Sequence, residues 1–95
     1  PPTAVFASSD VMAIGALMSI QDAGLSVPDD VSLVGFDDID EAGRASPPLT
    51  TIRQPPRRLG VAAADILLER LEGRTEPRRV ALEFSLVVRE STAPV

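Results

Sequence analysis

The sequence predicts an α/β fold with a parallel sheet, and three observations support this prediction. Short apolar runs that are typical of buried strands alternate with longer segments of helical periodicity. Glycine, proline and polar residues separate the two kinds of segment. The chain has 95 residues, of which 44% are hydrophobic, as expected for one small globular domain or part of a larger one.

The first half of the chain predicts a strand–helix–strand unit. The apolar run at residues 3–7 predicts a strand, and Ser9 and Asp10 after it are favourable residues for capping a helix. A helix is expected from Asp10 to Gly24, because glycine commonly ends helices. Residues 31–36 predict a second buried strand, and a helix between two strands predicts that they are parallel.

The second half predicts a strand, a helix and a final strand. Residues 49–52 are short and β-branched, as in strands. A Pro-Pro pair at residues 55–56 opens a helix that is expected to run to about Glu72, since proline is tolerated in the first turn. Apolar and polar residues alternate over 80–89, which predicts the last strand, and residues 90–95 are expected to fray.

The two predicted helices differ in their apolar surface. The first has two apolar stripes more than about 100° apart, one formed by Val11, Ile14 and Met18 and the other by Ala13, Leu17 and Ile20. One stripe can cover the sheet, and the other needs either more of the same protein or a partner subunit. The second helix has a single core face, for which ordinary packing is expected, formed by Leu59, Ala63, Ile66, Leu67 and Leu71.

Composition excludes several classes of function. The chain has no cysteine or histidine, which rules out disulfides, thiolate metal sites and histidine acid–base chemistry. Its net charge is −5, so we expect that it does not itself bind DNA. Neither a signal peptide nor the roughly 18–20 apolar residues of a membrane span is visible, and no membrane association is expected.

Polar residues follow each of the first three predicted strands. Ser8, Ser9 and Asp10 follow the first strand, Asp37 and Asp38 follow the second, and Arg53 and Gln54 follow the third. Because ligands bind beyond the carboxyl ends of parallel strands, we expect these side chains to surround one site. Their hydroxyl, carboxylate and amide groups suit a hydroxyl-rich or amide-bearing small molecule.

Other interpretations of these residues remain open at this point. Ser9 and Asp10 are also good helix caps, and Asp37 with Asp38 could form an ordinary loop. The acidic residues at 37–41 could bind a divalent cation, but they lack the EF-hand pattern, so no metal site is predicted. A catalytic carboxylate pair is conceivable, yet no nucleophile or cofactor motif accompanies it. We therefore predict no catalytic residue, no cofactor and no enzymatic activity.

Four segments carry a family resemblance. Residues 7–17 resemble the pattern A-x-N-D-x-x-A-x-G-A, and residues 24–38 resemble G-x-x-V-P-x-D-[VI]-S-[VI]-[VI]-G-F-D-D. Residues 47–55 match P-x-L-T-T-[VI]-x-Q-P, and residues 87–92 are similar to [LV]-[VI]-x-R-x-S-[TC]. In this order and spacing they resemble the C-terminal part of the effector-binding core of the LacI/GalR (lactose/galactose repressor) family of bacterial transcriptional regulators.

The resemblance implies a partial periplasmic-binding-protein-like type I fold. Residues 1–54 would form part of the C-terminal lobe, from the βαβ unit to the hinge. Residues 55–83 would contribute a helix and a strand to the N-terminal lobe, and residues 84–95 would return as a strand and tail. The DNA-binding domain of such a regulator is expected to be absent from this chain.

The resemblance also implies roles for individual residues. Asp37 would hydrogen-bond the effector, Gln54 would contact it from the hinge, and Pro56 and Leu59 would line the cleft between the lobes. Ser9 stands where many relatives have a ligand-contacting asparagine, a departure that changes which ligand fits.

Asp10 would cap its helix and shape the site. The resemblance places the dimer interface at the first helix and at the loop around residues 43–46, with Ile14, Met18 and Ala45 as its residues.

The implied function is control of a repressor by a small sugar-like effector. The effector would change the arrangement of the lobes in a cytoplasmic homodimer or higher homo-oligomer, and operator DNA would bind through the missing N-terminal domain. Two alternatives are a periplasmic sugar-binding protein of an ABC transporter, which has the same fold, and a small α/β enzyme that uses the acidic cluster.

Overall fold

The structure, a computed structural model, describes residues 1–95 and confirms the predicted α/β class. Its elements are β1 (Ala4–Phe6), α1 (Asp10–Asp22), β2 (Ser32–Val34), α2 (Asp40–Arg44), β3 (Thr51–Arg53), α3 (Pro56–Leu71) and β4 (Ser85–Val87). Two compact units are present, one formed by Pro1–Arg53 with Ser85–Val95 and the other by Gln54–Phe84. The assignment of segments to family lobes stays a prediction.

The strands of the first unit are hydrogen-bonded side by side. β1 pairs with β2 in parallel, and β4 pairs with β3 in antiparallel orientation. Two backbone hydrogen bonds join the β2 segment to the β3 segment, Gly35 N to Thr50 O at 3.0 Å and Asp37 N to Ile52 O at 2.9 Å. The first three strands therefore run parallel, and their carboxyl ends lie at one edge, as predicted.

α1 packs on the sheet through one of its two apolar stripes. Ala13 and Leu17 are buried in the core together with Val27, Leu33, Ala42 and Leu49. In the other stripe Ile14 is partly buried against the core, whereas Val11 is 69% exposed and Met18 is 62% exposed. What covers these two side chains stays a prediction.

The start of α1 differs from the prediction for Asp10. Ser9 is the N-cap residue, and its Oγ accepts a hydrogen bond from Met12 N at 3.2 Å. Asp10 is the first helical residue, fully buried, and its carboxylate accepts hydrogen bonds from Ile39 N at 2.9 Å and Thr51 Oγ1 at 2.6 Å. The prediction that Asp10 caps the helix was wrong, because its side chain points toward β3 rather than along its own helix.

Gly35 allows this close approach of α1 to the sheet. A Cβ atom at Gly35 would overlap Asp10 Oδ1, and it would lie 3.0 Å from Leu49 Cδ2 and 3.2 Å from Ala13 Cβ. Because these neighbours are buried and fixed by packing or hydrogen bonds, they cannot move aside cheaply. Glycine at residue 35 is therefore a steric requirement of the buried Asp10 carboxylate.

The C-terminal strand and tail differ from their predictions. Residues 80–84 lie outside any strand, and only Ser85–Val87 pairs, opposite Thr51–Arg53. The alternating apolar and polar residues at 80–89 are more numerous than the paired residues of β4. The reason is that the partner strand β3 has just three residues before the Pro-Pro segment that starts α3.

The tail is anchored rather than frayed. Ser91 is fully buried, and its Oγ accepts a hydrogen bond from Thr50 N at 2.8 Å and donates one to Leu33 O at 2.5 Å. Leu33 N in turn donates to Ser91 O at 2.9 Å. Local periodicity could not reveal this because one serine, and not an apolar pattern, attaches the tail.

The predicted core face of α3 is also not packed within the chain. The helix has no buried residue, and Leu67 and Leu71 are 59% and 74% exposed. Ordinary packing was predicted, but the unit Gln54–Phe84 contains this helix alone and no second layer against which to bury it.

No helix in the structure has both the length and the apolar character needed to cross a membrane.

We predict that Gly35→Ala destabilises the protein by about 2–4 kcal/mol, because the added methyl group must displace the Asp10 carboxylate from its hydrogen bonds. Urea unfolding of the protein measures this change. The matched control is Gly15→Ala in α1, where a Cβ meets nothing within 4 Å, so stability should be unchanged or rise by up to about 1 kcal/mol. Equal losses in both variants would contradict the steric role of Gly35.

We predict that Ser91→Ala costs about 1–3 kcal/mol of unfolding free energy, because the buried Thr50 N–H loses its acceptor. Ser19→Ala, at an exposed position of α1, should change stability by less than about 0.5 kcal/mol. The same urea unfolding experiment compares them, and a silent Ser91→Ala variant would show that the tail does not anchor the sheet.

Candidate functional site

The candidate site is the edge of the first unit where β1, β2 and β3 end. Ser9 follows β1, Asp37 and Asp38 follow β2, and Arg53 ends β3. Hydrogen bonds between the neighbouring segments place these residues at the same edge of the sheet, where the parallel strands end. The edge thus combines a hydroxyl group, two carboxylates and a guanidinium group.

Ser9 is half-buried and already engaged in folding. Its Oγ caps α1 by accepting the hydrogen bond from Met12 N. A hydroxyl group has one proton to donate in addition to its acceptor lone pairs. Ser9 can thus cap the helix and still donate one hydrogen bond to a ligand.

Asp37 has an unusual backbone conformation. Its φ is 123°, in the region that favours glycine, and its N–H donates to Ile52 O at 2.9 Å. Non-glycine residues in such conformations are strained and persist only where surrounding contacts hold them, often at ligand-binding sites. Asp37 is half-buried at the end of β2, which agrees with a binding role.

Asp38 is the centre of an ion-pair cluster. Its Oδ2 accepts a hydrogen bond from Arg53 Nε and its Oδ1 accepts one from Arg89 Nη2, each at 2.7 Å. The Asp38 side chain is only 9% exposed, Arg89 is 22% exposed and Arg53 is 59% exposed. Arg89 Nη1 also donates to Leu49 O at 3.0 Å, so its guanidinium joins two chain segments.

These contacts determine the charge of Asp38. Burial raises the pKa of its carboxyl group, but the hydrogen bonds from Arg53 and Arg89, together with their positive charges, lower the pKa by more. The net pKa of Asp38 lies below its ordinary value. Asp38 is therefore a structural anion.

The acidic cluster does not gather into a metal site. No group of three acidic side chains converges in a geometry that could hold a metal ion. Asp38 is neutralised by two arginines, and the buried Asp10 carboxylate is used by Thr51 and Ile39. Asp10 thus supports the edge from beneath, while its predicted role in shaping the ligand site stays a prediction.

The other predicted ligand residues lie in the second unit. Gln54 is half-buried, Pro56 begins α3, and Leu59 is 36% exposed. Their contact with an effector stays a prediction.

The residues predicted at the dimer interface lie on α1 and at the end of α2. Ile14 and Ala45 are half-buried and Met18 is exposed. Their interface role also stays a prediction.

Sequence reasoning missed several residues that build the site. Gly35 and Thr51, which hold Asp10, were missed, and so was Arg89, which holds Asp38. Arg53 was predicted at the end of the third strand, but its pairing with Asp38 was not. Arg89 lies within the last of the four family-like segments, and that position was the only available signal. Sequence spacing could not assign its partner, because 51 positions separate it from Asp38.

We predict that Asp38→Asn destabilises the protein by about 1–2 kcal/mol at pH 7, because the charged acceptor of two hydrogen bonds is lost. The loss is no larger because one of the two partners, Arg53, is mostly exposed to water. The folded pKa of Asp38 is depressed, so its contribution is complete above about pH 4, the unfolded value, and is lost as the pH falls through the folded pKa. Urea unfolding should show that the difference in unfolding free energy between wild type and variant becomes smaller as the pH is lowered from 7 toward about 3.

The control for this experiment is Asp29→Asn, at an exposed position, which should leave stability within about 0.5 kcal/mol at both pH values. A gap for Asp38→Asn that stays constant between neutral and acidic pH would contradict the assigned charge.

Comparisons with known proteins agree with this architecture. The sequence profile of the periplasmic binding protein-like domain matches residues 1–92. The chain is 48% identical over 91 residues to the HTH-type transcriptional repressor PurR of Photobacterium profundum, a match that covers 95% of this chain and 27% of that protein. The chain therefore spans about a quarter of the length of this relative.

Solved structures show the same relationship. The transcriptional regulator CelR in complex with cellobiose superposes with a TM-score of 0.87 at 46% identity, over 94% of this chain and 28% of that one. The lac repressor dimer bound to operator and the anti-inducer ONPF superposes with a TM-score of 0.85 at 42% identity, over 96% of this chain and 32% of that one.

These matches confirm both the predicted fold and the predicted resemblance. These three relatives are transcriptional repressors or regulators. The chain belongs to the periplasmic binding protein-like domain family, and over nearly its whole length it is similar to one part of LacI-type transcriptional regulators.

Proposed function

We propose that this chain is the effector-binding and dimerisation portion of a LacI-type transcriptional regulator, with no enzymatic activity. The observation that carries the proposal is Asp37, a strained and half-buried carboxylate at the carboxyl end of β2 in a chain similar over 94% of its length to a sugar-complexed regulator. Asp37 is the acceptor that we assign to the effector.

The chemistry of the edge supports a hydroxyl-rich effector such as a sugar. Asp37 supplies carboxylate acceptors, and Ser9 supplies one hydroxyl proton beyond its capping bond. A sugar hydroxyl both donates and accepts, so it satisfies both groups at once. Gln54, Pro56 and Leu59 are further contacts that we propose from the family resemblance.

Operator binding is assigned to another part of the regulator. The chain has nine basic and fourteen acidic residues, and phosphate binding requires a positive surface. We propose that two copies associate through the outer stripe of α1, with the exposed Met18 and the half-buried Ile14, and through Ala45 after α2. The 62% exposure of Met18 and the 69% exposure of Val11 support an apolar interface on this face.

The proposed mechanism is a shift between two conformations of the dimer. An effector that binds one conformation more tightly changes operator affinity by the ratio of its two affinities, typically about 5–150-fold. A regulator of this kind acts in the bacterial cytoplasm, where its operator is located.

We predict that Asp37→Asn weakens effector binding by about 10–100-fold, because the charged acceptor is lost while the shape of the side chain is kept. Cellobiose, other sugars, nucleosides and sugar phosphates are screened by thermal shift on the full-length regulator, and the best ligand is then titrated by calorimetry. Asp29→Asn is the exposed control and should bind within about twofold of wild type. Unchanged affinity in Asp37→Asn would refute the site.

The same protein tests the regulatory role. The ligand found in the screen should change operator affinity, measured by fluorescence anisotropy, in the wild type and in Asp29→Asn. In Asp37→Asn the same change in operator affinity should appear only at a higher ligand concentration, because this variant binds the ligand more weakly. Ligand binding without any effect on DNA affinity would instead support a transport or enzymatic role.

A further inference from the structure

We infer that the ion pair between Asp38 and Arg89 is a positioning element, which holds Asp37 in the backbone conformation that binds the effector. This inference rests on the proposed function, since it assigns Asp37 to the ligand. It goes further by giving a ligand-binding consequence to two residues that themselves need not touch the effector.

The first observation is that two strained residues follow each other. Asp37 has a φ of 123° and Asp38 a φ of 58°, both positive and neither a glycine. Aspartate tolerates the left-handed helical region of Asp38, but a φ of 123° lies beyond it. Without contacts that hold it, the segment would relax to negative φ values and move the Asp37 carboxylate.

The second observation is how Asp38 is held. Both of its carboxylate oxygens are used, Oδ1 by Arg89 and Oδ2 by Arg53. The side chain next in sequence to Asp37 is therefore tied at two points, while the Asp37 backbone is tied by its own hydrogen bond to Ile52 O. These three bonds restrain the strained dipeptide from both sides.

Arg89 is the better anchored of the two arginines. Its backbone N donates to Thr50 Oγ1 at 2.9 Å, and its Nη1 donates to Leu49 O at 3.0 Å. Its guanidinium also lies over Gly43 of α2, where a Cβ would be 3.9 Å from Cζ. Arg53 is 59% exposed, so its bond is weakened by water, whereas Arg89 is only 22% exposed. The position of Asp38 therefore depends mainly on Arg89.

A salt bridge with a purely structural role makes a different prediction. Its removal would lower the unfolding free energy but leave the effector affinity of the folded protein unchanged. Removal of a positioning pair raises the Kd of the folded protein, because part of the binding energy is then used to restore the Asp37 conformation. Ligand affinity and local backbone opening distinguish the two roles.

Three arginine variants of the full-length regulator test the inference. Arg89→Met keeps the aliphatic stem but removes the guanidinium. Arg89→Lys keeps the charge but not the planar fork that reaches Asp38 and Leu49 O together. Arg79→Met removes an exposed arginine that lies outside the proposed ligand site and dimer interface, and it is the control. All are titrated by calorimetry with cellobiose, or with the best ligand of the screen, below their unfolding temperatures.

We expect the Kd to rise about tenfold in Arg89→Met, by an intermediate factor in Arg89→Lys, and by less than about twofold in Arg79→Met. A double variant of Arg89→Met with Asp38→Asn should bind within about twofold of Arg89→Met alone, because the only further loss is the water-weakened bond to Arg53. Affinity within about twofold of wild type in Arg89→Met would overturn the inference.

Hydrogen exchange gives a readout that needs no ligand. The Asp37 amide donates to Ile52 O, whereas the nearby Ile39 amide donates to the Asp10 carboxylate. In Arg89→Met we expect at least about tenfold faster exchange at Asp37 and little change at Ile39. Equal acceleration at both amides would indicate general destabilisation, and no acceleration at either would indicate no role, so both results would overturn the inference.

The two proposals can fail separately. If Asp37→Asn does not affect ligand binding, the proposed site is wrong, while exchange at the Asp37 amide still decides whether Arg89 holds the backbone. If Asp37→Asn weakens binding but Arg89→Met changes neither affinity nor exchange, the site stands and the positioning role is wrong.

Discussion

The edge that carries the candidate site depends on the hydrogen bonds of one buried carboxylate, that of Asp10. Its oxygens accept hydrogen bonds from Thr51 on β3 and from Ile39 before α2, and it is itself the first residue of α1. A buried carboxylate is tolerated only when its oxygens are hydrogen-bonded, and the N-terminus of a helix favours negative charge. Gly35 provides the space, since any side chain there would occupy the carboxylate's position. One buried group thus fixes the ends of α1, β2 and β3 relative to one another.

The edge built in this way assigns different roles to neighbouring polar residues. Ser9 caps α1 and retains a proton that it can donate, while Asp10 is used entirely beneath the surface. Asp38 is neutralised by Arg53 and Arg89, with a pKa below its ordinary value. This distribution supports the assignment of Asp37 to the effector, because structural contacts hold its strained backbone in place. Rigid support beneath a strained ligand residue is a general requirement for a specific site.

The chain exposes apolar surface outside the edge. Val11 and Met18 on α1 are exposed, and so is most of α3, with Val11 at 69% and Leu71 at 74%. Apolar faces of this kind mark surfaces of association in folded proteins.

Local signals in the sequence determined the elements and the site edge. Capping residues, glycine stops and apolar periodicity predicted α1, α3 and the parallel order of the first strands, and polar residues after each strand predicted where a ligand would bind. The tertiary structure alone decided which side chains meet: Asp10 with Thr51 across 41 positions, and Asp38 with Arg89 across 51. It also shortened the last strand and anchored the tail through Ser91. The reason is physical, because caps and periodicity act within a few residues, whereas a polar side chain finds its partner only after distant segments have been packed together.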